Sequence, residues 1–256
     1  MVRVRSACFI IGLAACCAVP AASASGRLSF IAGAEWSEGD YDQPEDTTVF
    51  YEFVAARYTA APWSFKVTVP FLQVDGPASV VDDEVESAGL NRSVSGMGDV
   101  SFATTYSFSW KPERLYLDLI GRVRFPTGEE DDGLGSGETD FVALASLTKD
   151  FESVTVYADA GRRFLGSSPT RPREDGWLLS AGLSTPLGGA TEIGTSVDWR
   201  EAAYDGAPDP AEVSAYVRFD VSKDVRANVY AFAGLSDGSP DGGAGLTLTW
   251  RAFSHD

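Results

Sequence analysis

Apolar and polar residues alternate with a period of two along most of this chain, and no apolar period of 3.6 persists for long. Val100, Phe102, Tyr106, Phe108 and Trp110 share one face of a segment whose other face is Ser101, Ala103, Thr105, Ser107 and Ser109. Trp63, Phe65, Val67, Val69 and Phe71 stand in the same way against Ser64, Lys66 and Thr68. Leu115, Leu117, Leu119, Val123 and Phe125 oppose Tyr116, Asp118, Arg122 and Arg124. Leu246, Leu248 and Trp250 oppose Thr247, Thr249 and Arg251. This pattern predicts twelve strands, near 27–36, 47–58, 63–74, 99–110, 114–125, 139–148, 152–163, 177–186, 190–200, 211–221, 225–235 and 244–253. Each is about ten residues, the length a tilted strand needs to cross a bilayer.

The connections sort into two classes. Odd-numbered links are long (37–46, 75–98, 126–138, 164–176, 201–210, 236–243) and even-numbered links are short (59–62, 111–113, 149–151, 187–189, 222–224). Such sorting, with an even strand number, predicts an all-β, transmembrane, antiparallel up-and-down β-barrel. Both termini are expected in the periplasm, with long loops outside. A soluble sandwich gives no reason for it. Tryptophan positions test the idea separately. Trp36, Trp177 and Trp199 fall at outer strand ends, Trp63 and Trp110 at inner ends, and Trp250 close to one. Amphipathic indoles gather at the two membrane–water interfaces, whereas a sandwich core would hold some of them mid-strand.

The first residues belong to another kind of segment. Met1-Val2-Arg3-Val4-Arg5, an apolar run from Ala7 to Val19, and Ala22-Ser23-Ala24 have the three parts of a secretory signal peptide. The expected organisation is therefore a signal peptide over 1–24 and one barrel over 25–256 in a bacterial outer membrane. Leu13-Ala14-Ala15-Cys16 also fits a lipoprotein processing site, so lipidation of Cys16 stays open.

Composition narrows the chemistry. The chain has 256 residues, 20 Lys plus Arg against 37 Asp plus Glu, and a formal net charge of −17. That acidity argues against nucleic-acid partners. Cys8, Cys16 and Cys17 are the only cysteines and all precede the cleavage site, while the only histidine is His255. A hydrolytic triad, a zinc site and a redox metal site therefore lack their residues, and no enzyme activity, metal or cofactor is expected. Acid concentrates in long links: Glu38, Asp40, Asp42, Glu45 and Asp46 in the first, Asp82, Asp83, Glu84 and Glu86 in the second. These are solvated loop surface or, alternatively, a hold for divalent cations, though no spacing matches a calcium loop.

Alternation also sorts the interior. Lumen-lining candidates are Lys66, Asp118, Arg122, Arg124, Asp159, Arg163, Asp198, Arg200, Arg218, Asp220, Arg226 and Arg251. Opposite charges on facing strands would pair across a narrow interior, as a structural network, as a charge-selecting constriction, or as both. Twelve strands lie between side-chain-filled barrels of eight and open porins of sixteen or more, which favours a narrow or gated path.

Two glycine-based motifs remain. Gly96-Met97-Gly98-Asp99-Val100 opens the fourth strand, and Arg124-Phe125-Pro126-Thr127-Gly128 leads into Gly133-Leu134-Gly135-Ser136-Gly137. The glycine run predicts a mobile outer loop. It is not a phosphate cradle, because no helix follows and Glu129-Glu130-Asp131-Asp132 would repel phosphate. With Val69-Pro70-Phe71 ahead of them, these motifs resemble, in the same order, the transporter-like outer-membrane family of the meta-pathway of phenol degradation. The resemblance is carried by Trp63 to Phe151 and departs mildly at Met97, where a leucine or similar residue is usual. It implies architectural roles for Gly96, Gly98, Asp99, Pro126, Thr127, Gly128 and Gly137. It further implies a channel or transporter-like protein admitting small, hydrophobic or aromatic compounds. The alternative is a non-transporting structural or binding barrel that displays its acidic outer loops. Expected partners are outer-membrane lipid, the barrel-assembly machinery and a small-molecule solute.

Overall fold

A computed structural model describes residues 26–41, 45–81, 84–169 and 172–254, with the backbone path alone for 78–81, 84–92 and 253–254. The strands are β1 (Arg27–Gly39), β2 (Thr47–Ala60), β3 (Trp63–Val81), β4 (Glu84–Met97), β5 (Val100–Trp110), β6 (Leu115–Phe125) and β7 (Asp140–Phe151). They continue as β8 (Val154–Phe164), β9 (Gly176–Gly188), β10 (Thr191–Arg200), β11 (Ala211–Asp220), β12 (Val225–Gly234) and β13 (Gly242–Ser254). The expected signal peptide with its cysteines, Asp42, Asp82, Asp83 and His255 lie outside the described residues, as do the side chains of Glu84 and Glu86.

Every neighbouring pair is antiparallel, and β1 bonds to both β2 and β13, so the sheet closes on itself. Thirteen segments make twelve staves. The first part of β3, Trp63–Thr68, pairs with β5, while Phe71–Val81 pairs with β4. β4 and β5 are thus one stave interrupted at Gly98-Asp99. Thr68 faces Ser101 but Phe71 faces Met97, a shift of one residue across the gap. Gly98 donates its N–H to the Pro70 carbonyl at 3.1 Å, and Pro70 has no N–H to return. A bulge at a proline is the ordinary way to seat that defect.

The link expected at 75–98 is therefore largely strand. Its sequence is short of apolar residues, so no period-two signal marks it, and the β3–β4 hairpin is held by backbone pairing. The other predicted strands agree with the structure to within a few residues at each end. Apart from the β3–β4 hairpin, which extends from the same rim as the long connections, long and short connections fall at opposite rims, called here the loop end and the turn end.

The outward face is predominantly apolar. Phe65, Val67, Val69 and Phe71 are exposed, whereas Ser64, Thr68 and Pro70 between them are buried. Large hydrophobic side chains are exposed on every stave, which water would not tolerate and lipid requires. Trp36 and Trp177 stand exposed at the loop end, and Trp63, Trp110 and Trp250 at the turn end. Closure leaves the strands of the barrel wall paired on both sides, the condition for sheet to exist in hydrocarbon, while β4 pairs with β3 alone.

Candidate functional site

The twelve charged side chains singled out by alternation stand on the inner face of their strands. Asp118, Arg122, Asp159, Arg163 and Arg218 are buried, and Lys66, Arg124, Asp198, Arg200, Asp220, Arg226 and Arg251 are half-buried. At the turn end, Asp220 accepts from Arg226 at 2.6 Å and from Arg251 at 3.2 Å. Toward the loop end, Arg124 lies 4.0 Å from Asp140 and Arg200 lies 4.0 Å from Glu212. Arg218 meets Glu192 at 3.2 Å and stacks its guanidinium 5.0 Å from the Tyr216 ring centre.

Strand register arranges these residues into rows that wind around the wall. One row runs Ser107, Asp118, Ser146, Asp159, Ser180, Asp198, Glu212, each facing the next across a ladder. A second runs Arg251, Ser29, Arg57, Lys66, Ala103, Arg122, Val142, Arg163. Between them on β6 to β9 lie Ile120, Leu144, Gly161 and Leu178. Sequence reasoning missed Glu35, Arg57, Glu192 and Glu212, which strand alternation carried to its end would have found. It also missed the Asp140–Arg173 pair, whose arginine sits in a loop where no periodicity applies.

Another part of the wall is aromatic. Phe53, Tyr157, Tyr216, Phe232 and Tyr230 each face a glycine on the next strand: Gly33, Gly182, Gly194, Gly243 and Gly245 respectively. A Cβ built on Gly194 would fall 2.3 Å from the Tyr216 ring, and one on Gly243 2.4 Å from Phe232. The rings therefore lie along the wall in the space that missing side chains leave. Tyr216, Tyr230 and Phe232 form one buried cluster, and Tyr230 donates to Glu35 at 2.7 Å.

The mouth at the loop end is occupied by the chain itself. Between β6 and β7, residues 126–139 turn inward and bury Leu134, only 3 % exposed, against Val49, Leu72 and Val74 of the inner wall. Asp99 clasps this loop. Its Oδ1 accepts the N–H groups of Thr127 (2.9 Å) and Gly128 (2.8 Å), and its Oδ2 accepts that of Ser136 (2.9 Å). Thr127 donates its hydroxyl to the Gly98 carbonyl and accepts the N–H of Val100. Cβ atoms on Gly96, Gly98 or Gly128 would collide with Leu134 or Leu72, and Gly137 sits at φ 72°. The expected mobile loop is thus a pinned one. Its glycines cradle an anion, the chain's own Asp99 carboxylate. Pro126 closes β6 beside this clasp. The next loop, 165–175, is fixed by Arg173, which donates to both oxygens of buried Asp140 at 3.1 and 2.8 Å.

With this geometry in view, comparison with known proteins is specific at the family level. The family described as "Putative MetA-pathway of phenol degradation" matches residues 25–252. No curated protein matches the chain. Among solved structures, an outer membrane channel from Pseudomonas putida F1 is similar with a TM-score of 0.72 at 12% identity, covering 92% of this chain and 97% of that one. The KdgM porin gives 0.57 at 7% identity, covering 88% and 99%. The translocator domain of the autotransporter NalP from Neisseria meningitidis gives 0.54 at 9%, covering 90% of both. At such identities these likenesses establish the fold, a bacterial outer-membrane barrel.

Proposed function

Since this chain belongs to the phenol-degradation MetA-pathway family and is an outer-membrane β-barrel, we propose that it is a channel for small solutes with an apolar or aromatic body. The observation that carries this reading is the mixed interior. Charged rows wind around the wall, one from β13 through β1–β3 to β8 and one from β5 to β11, while rings lie against glycines on β2, β8, β11 and β12, so one lumen offers both polar and apolar surface to a passing molecule. The same family gives the reading its chemical direction. A loop folded into the mouth keeps the path narrow and gives it a gate, and the lumen-lining charges hold the wall in shape while they filter solutes. Both termini face the periplasm, after removal of the signal peptide over 1–24, and the loop end faces outward.

The reading is of a conduit rather than a catalyst. A hydrolytic base is not at hand, since His255, the only histidine, follows the last strand. Purified full-length barrel reconstituted in liposomes should speed entry of phenol and of benzoate over protein-free liposomes, and should give conductance steps in a planar bilayer. Silence in both assays from protein that shifts between boiled and unboiled gel lanes would favour a structural or binding barrel that shows its acidic loops.

A further inference from the structure

The row of alternating serines and acids has a direction. Ser107 is three residues from the turn end of β5, and Asp118 is three residues from the turn end of β6. Asp159 stands at the middle of β8, Asp198 two residues from the loop end of β10, and Glu212 one residue from the loop end of β11. Because strands tilt in a barrel, the row perpendicular to them climbs the wall from one rim to the other. Asp118, Asp159 and Asp198 recur on every second strand, about 10 Å apart from one to the next, and Glu212 follows Asp198 on the adjacent one.

Asp118, Asp159 and Asp198 accept hydrogen bonds from hydroxyls, and a cation, Arg200, enters the row only at its loop end, beside Asp198 and 4.0 Å from Glu212. Ser180 donates to Asp159 at 2.7 Å and Ser196 to Asp198 at 2.9 Å, while Ser107 and Ser146 reach Asp118 and Asp159. Asp118 and Asp159 are 4 % and 5 % exposed, and Oδ1 of each has no hydrogen-bond partner. A hydroxyl relieves part of the desolvation of a carboxylate but does not neutralise it. The apolar strip of Ile120 and Leu144 separates this row from Arg122 and Arg163, four residues further along the same strands. Among the described residues no three acidic side chains converge closely enough to hold a metal ion. A ramp of single oxygen sites, each weak, suits an ion in transit better than a resident one.

We propose that Asp118, Asp159 and Asp198, with their interleaved serines, form a track along which small monovalent cations cross the barrel. The oxygens of each acid and its serine replace part of the water around the ion, and the next acid takes it over. The inference rests on the channel reading above and adds an ionic path that the aromatic wall does not need.

The test is reversal potential in a planar bilayer under a KCl gradient, using full-length protein whose folding is checked by the boiled-against-unboiled gel shift. Wild type should prefer K⁺ over Cl⁻. Asp159→Asn should move the reversal potential toward zero, and combining Asp118→Asn, Asp159→Asn and Asp198→Asn should move it further. Asp159→Glu should keep the preference for K⁺. If the triple substitution does not fold, the three single ones decide. A wild type that conducts but prefers Cl⁻, or Asn variants that fold and keep the wild-type reversal potential, would overturn the track and leave the channel standing. A folded wild type that neither conducts nor admits phenol would overturn both.

Discussion

Asp99 carries more of the mouth than any other single residue. Three backbone N–H groups from two stretches of one loop end on its carboxylate, and the nearby Thr127 hydroxyl ties the same loop to the stave break. Charge-assisted bonds of this kind contribute about 1.5–3 kcal/mol each, and their donors are left bare when the acceptor goes. Asp99→Ala should leave the barrel folded by gel shift yet speed amide exchange across 126–139 by at least about tenfold, since about 1.4 kcal/mol is already a decade. Unchanged exchange would mean that Leu134 and the Thr127 hydroxyl hold the loop without the carboxylate. Arg173 is the second anchor. Removing its guanidinium takes two charge-assisted bonds, each contributing about 1.5–3 kcal/mol, from Asp140, which is 2 % exposed and keeps the Gly166 N–H at 2.8 Å and Arg124 at 4.0 Å. Arg173→Ala should therefore lower the denaturant midpoint in detergent, and Arg173→Lys should recover part of it, lacking the two-pronged geometry. The resemblance marked Asp99 and its glycines as architectural, but the seating itself was not legible. The glycine run pointed to a mobile loop, and Leu134 finds Val49, Leu72 and Val74 only through a fold that brings distant staves together.

At the scale of strands, legibility followed the solvent. Lipid on one side and polar interior on the other impose alternation, and all twelve staves could be read from it because their residues obey it. The segment it does not mark, β4, rises in the β3–β4 hairpin beyond the alternating part of the chain, and there the periodic signal vanished with its cause. Alternation also gives the face of a residue but not its height, since height depends on register. For that reason the charged residues were legible as inward-facing, while their order in rows was not. The ring-over-glycine pairs are a further register effect. Gly194→Leu should push Tyr216 off the wall, disturb its contacts with Arg218 and Glu192, and cost about 1–3 kcal/mol of overpacking. An outward neighbour such as Ile193→Leu faces lipid and should leave the unfolding midpoint near wild type.

For the whole molecule, closure decides what can be observed. A barrel without free edges unfolds as a unit, so an unboiled sample should run apart from a boiled one, with strand amides slow to exchange and the tips of the connections fast. Equal migration of the two samples would contradict a closed barrel. The seam that achieves closure joins β1 to β13, pairing Ala32 with Leu248 and Trp36 with Ala244 across nearly the full length of the chain. That pairing has a kinetic meaning. Loop entropy must be met for the longest possible loop before the final ladder gives anything back, which places this protein among slow-folding topologies. Until then β1 and β12 present bare ladders, each a template for a stray chain. The last strand to be synthesised is thus the one that ends the period of danger, and the cell must keep every copy apart from its neighbours until β13 has arrived.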